Sequence, residues 1–481
     1  MANIPKIQKG KFIEIELTDW ANEGKALARI PGEGGDKVIF VPNAIPGQKV
    51  KARVTRNRKN FAEAKLVEIL QASPQEVPQP FQPIPGAPYA SLPLALQQKH
   101  KQESALQLMQ RIGKVEQPER LLDTFITSPR HWHYRNKMEY SFSAVAALPE
   151  EERFTDTFAL GFKKRGQWLA VEPLLKDSGL FDAEWENALP QVADFFISRQ
   201  HTAWHSRLGE GFCRLLTVRK SFAQDNLLVN FVSSSSELAS FDSTAFTKLI
   251  QHILGERLGG LIHTINDDPS DRPDANNGEQ IILAGKDHLT EKICGLSFKI
   301  SPQSFFQTNP ASAEKLYNQA LAYAEEQTTG TQPLILDLFS GTGTLTQLLA
   351  QRLPQKKIIG VEIVPEAVQD ALKNAALNHL QEKVQFFTGD VGHFLLENPE
   401  YQNQIDTVLL DPPRAGVTPK TLRKIMRLEA SRIIYISCNP ATQARDILAL
   451  AEFGYQLQKF SLVDQFPHTA HLESVALFCK M

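Results

Sequence analysis

From residue 333 onward, short apolar runs alternate with stretches whose apolar positions recur every three or four residues. The runs "PLILDLF", "KIIGVEI", "VQFFTGDV", "DTVLLD" and "RIIYIS" are short and nearly continuous in apolar residues, as expected of strands covered on both faces. Between them "TLTQLLAQRL", "PEAVQDALKNAALNHL", "TPKTLRKIM" and "ATQARDILALAEF" read as amphipathic helices. This alternation predicts a doubly wound parallel sheet. The last runs, "QLQKFSLVDQF" and "ESVALFCK", have no helix between them and predict a terminal hairpin.

The first seventy residues carry a different pattern. Short β-like runs, from "KFIEIELTDW" to "FAEAKLVEIL", are separated by turn signals such as "PGEGGD" and predict a small five-stranded barrel. The segment holds 13 Lys and Arg against 8 Asp and Glu, densest in "KARVTRNRKN". A solvated edge strand explains such a run, whereas on a small barrel it reads as a nucleic-acid footprint. A Pro-rich linker, "SPQEVPQPFQPIPGAP", follows, then a helical stretch over 95–113. The middle of the chain mixes strand and helix signals without a clean period. Its "PRHWHYRNKMEYSFS" and "GFKKRG" interleave basic and aromatic residues, which suits stacking and phosphate contact on RNA. His131 and His133 read as surface or packing residues, since no third metal ligand stands near them.

At 481 residues the chain exceeds the size of a single core. Three segments are expected: 1–72 as the barrel, 73–300 as linker, helix and central α+β domain, and 301–481 as the doubly wound domain. The net charge of −2 excludes a uniformly basic nucleic-acid binder but leaves local patches open. Cys213, Cys294, Cys438 and Cys479 show no paired spacing, so neither a disulfide framework nor a zinc site is expected. With no long apolar stretch and no apolar leader, the expectation is a cytoplasmic chain that does not enter membranes, taken as a monomer.

"LDLFSGTGTLT" is a strand, a glycine turn and a helix start, and Gly341 and Gly343 would let a ligand approach the backbone. Thr346 departs from the dinucleotide fingerprint. Glu362, ending the next strand, is placed to accept both hydroxyls of a ribose, and Asp390, after the third, to bind the exocyclic amine of an adenine. With no phosphate-binding lysine, the set favours a nucleoside cofactor without phosphates, S-adenosylmethionine.

"LLDPPRAG" is similar to the Asp/Asn-Pro-Pro motif of amine methyltransferases, but Arg414 stands where an aromatic would follow. Cys438, in "YISCNPATQARD", has no part in amine methylation. Carbon 5 of uracil, in contrast, becomes nucleophilic only after a thiolate adds at carbon 6, and a base must later remove the carbon 5 proton. Cys438 can supply the first and Glu473 the second, provided the hairpin returns Glu473 across the sheet edge. The bland alternative for Cys438 is a buried small hydrophobe, against which its polar neighbours Ser437 and Asn439 weigh.

On "SFFQTN", "LDLFSGTGTLT", "DPPRAG", "SCNPATQARD" and "HTAHLE", the chain resembles the RNA uracil-5-methyltransferase family, S-adenosylmethionine-dependent enzymes that make 5-methyluridine in ribosomal or transfer RNA. The resemblance implies a Rossmann-like class I methyltransferase domain, an OB-like RNA-binding barrel of the TRAM type, an inserted central domain, and a helix 95–113 packed on the catalytic domain. It implies cofactor contacts from Gln307, Phe339, Thr344, Glu362, Asp390 and Asp411, with Cys438 as nucleophile and Glu473 as base. Gln307 and Asp411 would also border the uracil. Phe305 is a candidate to stack on a base, with a core position the competing reading. Many TRAM-bearing members hold an iron–sulfur cluster on four cysteines. "FQPIPGAPYASLPLAL" and "VEPLLKDSG" contain none, so no cluster is expected. By resemblance 23S ribosomal RNA is the favoured substrate and transfer RNA the alternative. Amine methylation and a non-catalytic RNA-binding role are the competing readings.

Overall fold

The structure, a computed structural model, describes residues 7–21, 24–31, 36–147, 154–164, 169–268, 278–326 and 333–481. Part of the turn "PGEGGD" and the last two positions of "GFKKRG" lie outside them. Two compact units are present, one of residues 1–97, 131–291 and 300–303, the other of 98–130, 292–299 and 304–481.

In the first unit, strands Phe12–Glu16, Asp19–Ala21, Lys25–Ile30, Lys37–Pro42, Lys49–Asn57 and Phe61–Gln71 form one sheet. Inward residues such as Ile13, Ile15, Val50, Ala52, Val54, Ala62, Ala64 and Leu66 share an apolar core. Their alternation with exposed Phe12, Arg53 and Lys65 is the period-two pattern of a half-buried sheet. Six strands stand where five were expected. The extra one, Asp19–Ala21, pairs with Lys25–Ile30 and at three residues is too short to show a period. The rest of the unit holds a seven-stranded sheet with helices Ala183–Ser198 and Ser243–Leu254, capped by Asp182 and Asp242. This mixture of strand and helix gives the middle of the chain its unclear periodicity.

The second unit is built on eight strands, here β1 (Leu122–Ile126), β2 (Leu334–Leu338), β3 (Lys357–Glu362), β4 (Val384–Thr388), β5 (Ile405–Leu410), β6 (Arg432–Ser437), β7 (Tyr455–Val463) and β8 (Glu473–Lys480). Their order is β4-β3-β2-β5-β6-β8-β7-β1. The strands β2 to β6 pair in parallel, and every residue of β2, β5 and β6 is buried, as continuous apolar strands between helix layers must be. The terminal hairpin β7–β8 continues the sheet, with β8 antiparallel to both neighbours. Residues 98–130, placed in the central segment by sequence, belong to this unit. Helix Leu94–Arg111 adds Ala105, Leu108 and Met109 to the core formed by Leu336, Val408 and Ile433, and β1 pairs parallel with β7. The partners β1 and β7 are far apart in sequence, so no local pattern announces the pairing.

Candidate active site

The carboxyl ends of β2, β3 and β4 lie side by side, and at such ends an open α/β sheet offers exposed turns. Immediately beyond β2, Phe339 adopts φ 67°, and its N–H donates to the Val361 carbonyl at 2.9 Å. A bulky residue in the left-handed region is uncommon and is held there by its surroundings. Gly341 has φ 52°, and a Cβ on it would meet nothing within 4 Å, so the backbone faces open space. Gly343 has φ 74°, and a Cβ there would lie 2.6 Å from the Phe386 ring. The next residue, Thr344, is buried and begins helix Thr344–Arg352. Two residues on, Thr346 donates to the buried Asp337 of β2 at 2.6 Å.

At the end of β3, the Glu362 carboxylate accepts from Gly341 N–H and from Val364 N–H, each at 2.9 Å. Two backbone donors thus hold it against the glycine turn. Asp390 follows β4 and caps helix Val391–Glu397 by accepting from His393 N–H at 3.0 Å. Since β2, β3 and β4 are neighbours, Phe339, Thr344, Glu362 and Asp390 converge on one edge. An open glycine turn beside a fixed carboxylate suits the hydroxyls of a nucleoside. Sequence reasoning passed over Ile363, whose 61% exposure directly after Glu362 leaves an apolar surface at the same edge.

The remaining candidates lie on the next strands of the same edge. Asp411 directly follows β5 and Cys438 directly follows β6. In the β6–β8 register Ser437 faces Ser474, so Cys438 and Glu473 are the adjoining pair at the sheet's rim. Antiparallel insertion of β8 returns the carboxylate to the end where the thiol emerges. The thiol is held in a tight turn: Asn439 N–H donates to Ser437 Oγ at 3.2 Å, Ser437 Oγ donates to the Asn439 carbonyl at 3.0 Å, and Asn439 caps helix Pro440–Ala451. With Pro440 at the first helical position, the chain cannot extend β6 past the cysteine.

Burial dominates the electrostatics here. It pushes Asp411 up to about 7 and, with help from Asp411 and against Arg414, Glu473 up to about 8. The Cys438 thiol is pushed up to about 11 by burial and by the charges of Glu473 and Asp411, while Arg414 favours its thiolate. Glu473 is buried and Cys438 half-buried. Arg414 touches His471 at 3.2 Å.

Gln307 lies in the loop before helix Pro310–Glu325, and its Oε1 accepts from Gln465 Nε2 at 2.8 Å. The buried Tyr317 of that helix hydrogen-bonds Gln307, and the charges of Asp411 and Glu473 add to burial in raising its hydroxyl far above the usual range. Neither Tyr317 nor Gln465 stood out in sequence, because one sits at core spacing in a helix and the other in a polar loop. Phe305 is 69% exposed, which rules out a core position. Among the described residues no group of three or more His, Cys, Asp or Glu is arranged to hold a metal ion.

A family model described as tRNA (Uracil-5-)-methyltransferase matches residues 276–481, and a TRAM domain model matches residues 6–67. An uncharacterized RNA methyltransferase of Clostridium tetani is 33% identical over 478 residues, 98% of each chain. Another, of Caldanaerobacter subterraneus, is 35% identical over 476 residues, 98% of this chain and 99% of its own. A solved tRNA (uracil-54, C5)-methyltransferase of Pyrococcus abyssi, in complex with S-adenosyl-L-homocysteine, shares the fold with a TM-score of 0.67. It is 23% identical, and the match covers 97% of this chain and 100% of that one. Fold and site together define a Rossmann-like methyltransferase with an N-terminal TRAM domain. The chain belongs to the RNA uracil-5-methyltransferase family. No described helix is long and apolar enough to cross a membrane.

Proposed function

We propose that the chain methylates carbon 5 of a uridine in RNA, using S-adenosylmethionine, through covalent addition of Cys438. The observation that carries this reading is the β6–β8 register, which brings a thiol and a buried carboxylate side by side next to Asp411. S-adenosylmethionine, when bound, supplies an electrophilic methyl group on a positively charged sulfur. The open face of Gly341 and the anchored carboxylate of Glu362 fit its ribose, with Asp390, Phe339, Thr344, Gln307 and Asp411 as the other contacts.

Cys438 gives its proton to a carboxylate of the site and forms a bond from sulfur to carbon 6, and the displaced pair is delocalised between carbon 5 and the carbon 4 oxygen. Carbon 5, once methylated, still carries its hydrogen. Glu473 takes that proton, the C–H electrons restore the ring double bond, and the bond to Cys438 breaks. Burial suits Glu473 to this role, because a carboxylate pushed up to about 8 is a stronger base than a solvated one.

Ribosomal 23S RNA is the favoured substrate, carried over from TRAM-bearing members, and the protein is read as a cytoplasmic monomer. Transfer RNA is the second reading, favoured by the full-length fold likeness to the P. abyssi enzyme. Digestion and mass spectrometry of both RNA fractions, from cells with and without the gene, tests the proposal. Loss of 5-methyluridine from the ribosomal fraction is expected, its loss from transfer RNA alone selects the second reading, and unchanged 5-methyluridine in both overturns the assignment.

A further inference from the structure

Helix Leu94–Arg111 sends a buried charge into the catalytic unit. The Lys101 ammonium donates to Asp464 Oδ1 at 2.5 Å and to the Phe466 carbonyl at 3.0 Å. Both side chains of this ion pair are buried. Asp464 also accepts from Gln98 Nε2 at 3.4 Å, and its N–H donates to the Ile126 carbonyl of β1 at 2.8 Å. The two acceptors of Lys101 both stand in the loop 464–472 that joins β7 to β8. Neither Lys101 nor Asp464 has a step in the proposed mechanism.

A buried ion pair is a weak source of stability, because apolar residues of similar volume often do as well without the cost of desolvation. What it supplies is a fixed place for its partners. In the β7–β8 register Val463 faces Glu473, so Asp464 and Glu473 stand at the mouth of the same loop. A second connection runs along the loop itself. The Phe466 carbonyl that accepts from Lys101 also accepts from Thr469 Oγ1 at 2.8 Å, and Thr469 Oγ1 accepts from His471 N–H at 3.1 Å. The chain from Lys101 through Phe466 and Thr469 to His471 thus ends two residues before Glu473.

The other residues of the site have anchors of their own. Cys438 is held by the turn of Ser437 and Asn439. Gln465, although it lies in the same loop, is tied through its backbone carbonyl to Asn309 Nδ2 at 2.8 Å. The cofactor edge of β2, β3 and β4 lies in the other half of the sheet. We propose that Lys101 is a positioning residue for Glu473, its buried ammonium pinning the loop so that the carboxylate stands where the carbon 5 proton leaves. Lys101 then governs release of the methylated RNA, and not thiol addition or methyl transfer. The inference rests on Glu473 being the base of the reaction proposed above.

The test separates the two steps in the full chain. Lys101→Met alone would strand a buried carboxylate, so it is combined with Asp464→Asn, which removes both charges. With protein in excess over an RNA that the parent methylates, two quantities are followed: methyl transfer in a single turnover, and the methylated RNA still attached to protein after denaturing electrophoresis. Partial unfolding would lower transfer and release together, so their ratio reports position. Transfer should stay within about twofold of the parent while release slows by about tenfold to a hundredfold, the cost of roughly an ångström of misplacement. The attached RNA should disappear when Cys438→Ala is added. Thr469→Val breaks the same chain without touching a charge and should slow release in the same sense; it decides the matter if the paired variant does not fold. A parent-like ratio of release to transfer, or equal slowing of both, overturns the inference and leaves the reaction assignment intact. If the parent forms no 5-methyluridine on any RNA, or if Glu473→Gln releases product at the parent rate, the base assignment fails first and this inference with it.

Discussion

A cysteine whose thiol is pushed up to about 11 by burial and by the charges of Glu473 and Asp411 is a poor nucleophile. Its activation depends on the nearby cation, Arg414, and on neutral neighbours, and burial keeps Asp411 and Glu473 partly protonated near neutral pH. The two halves of the proposed mechanism can be separated at this scale. Glu473→Gln keeps the shape of the side chain but cannot accept a proton, so addition and methylation should proceed while release stalls. The variant should accumulate a covalent adduct with methylated RNA, seen as a band that survives denaturing electrophoresis and disappears in the Cys438→Ala, Glu473→Gln double variant. A loss of about a hundred to ten thousand fold in turnover is expected for removal of a general base. Parent-like turnover would make Glu473 a structural residue of the hairpin.

Among the elements, the barrel strands show how register builds a surface that sequence order conceals. Phe12 faces Arg53 across one strand pair, and Arg53 faces Lys65 across the next. All three are exposed. Two cations directly opposite one another are unfavourable in a sheet, and an aromatic ring beside them offers a base something to stack on while phosphates neutralise the pair. Replacing Arg53 and Lys65 by Glu should therefore weaken RNA binding and reduce the salt slope of log K by about 1.4, at about 0.7 per phosphate contact in a single strand. Cofactor affinity, measured by calorimetry, should hold. An unchanged slope would move the main RNA surface elsewhere in the chain. In the catalytic unit the decisive element is β8, because its antiparallel insertion beside β6 converts distant residues 438 and 473 into neighbours.

For the molecule as a whole, three buried carboxyls of the catalytic unit make stability depend on pH. Burial raises Asp337 and Asp411 to about 7 and Glu473 to about 8, well above their unfolded values. Between roughly pH 4 and pH 8 the folded state then binds more protons than the unfolded one, so stability is fully present at the acidic end and is lost as pH rises through that window. The melting transition, followed by calorimetry, should move down between about pH 6 and about pH 8.5, and by less in Glu473→Gln. A transition that rises over that range would show that these carboxyls are ionised in the folded protein. His263, lowered to about 4 by burial, acts in the opposite sense and only below its unfolded value near 6.5. The four cysteines are spread over positions 213, 294, 438 and 479, and a cluster needs four thiolates together. The purified protein should be colourless. Broad visible absorbance with stoichiometric iron and sulfide would contradict that.

The parallel sheet, its glycine turn, the acidic ends of its second and third strands and Cys438 after β6 were legible along the chain because each rests on local chemistry. Strand burial writes apolar runs, tight turns call for glycine, and caps and strand ends recur at set distances from those runs. The sequence also supplied the residues of the proposed reaction, Cys438 and Glu473, but left open whether they meet. Only the tertiary structure decided that, through the β6–β8 register. It also decided that Leu122–Ile126 pairs with β7, that Phe305 lies exposed, and that Gln465 grips Gln307. The reason is common to all of them: pairing between segments far apart in the chain is set by how whole elements pack, and no single segment carries a pattern that names its partner.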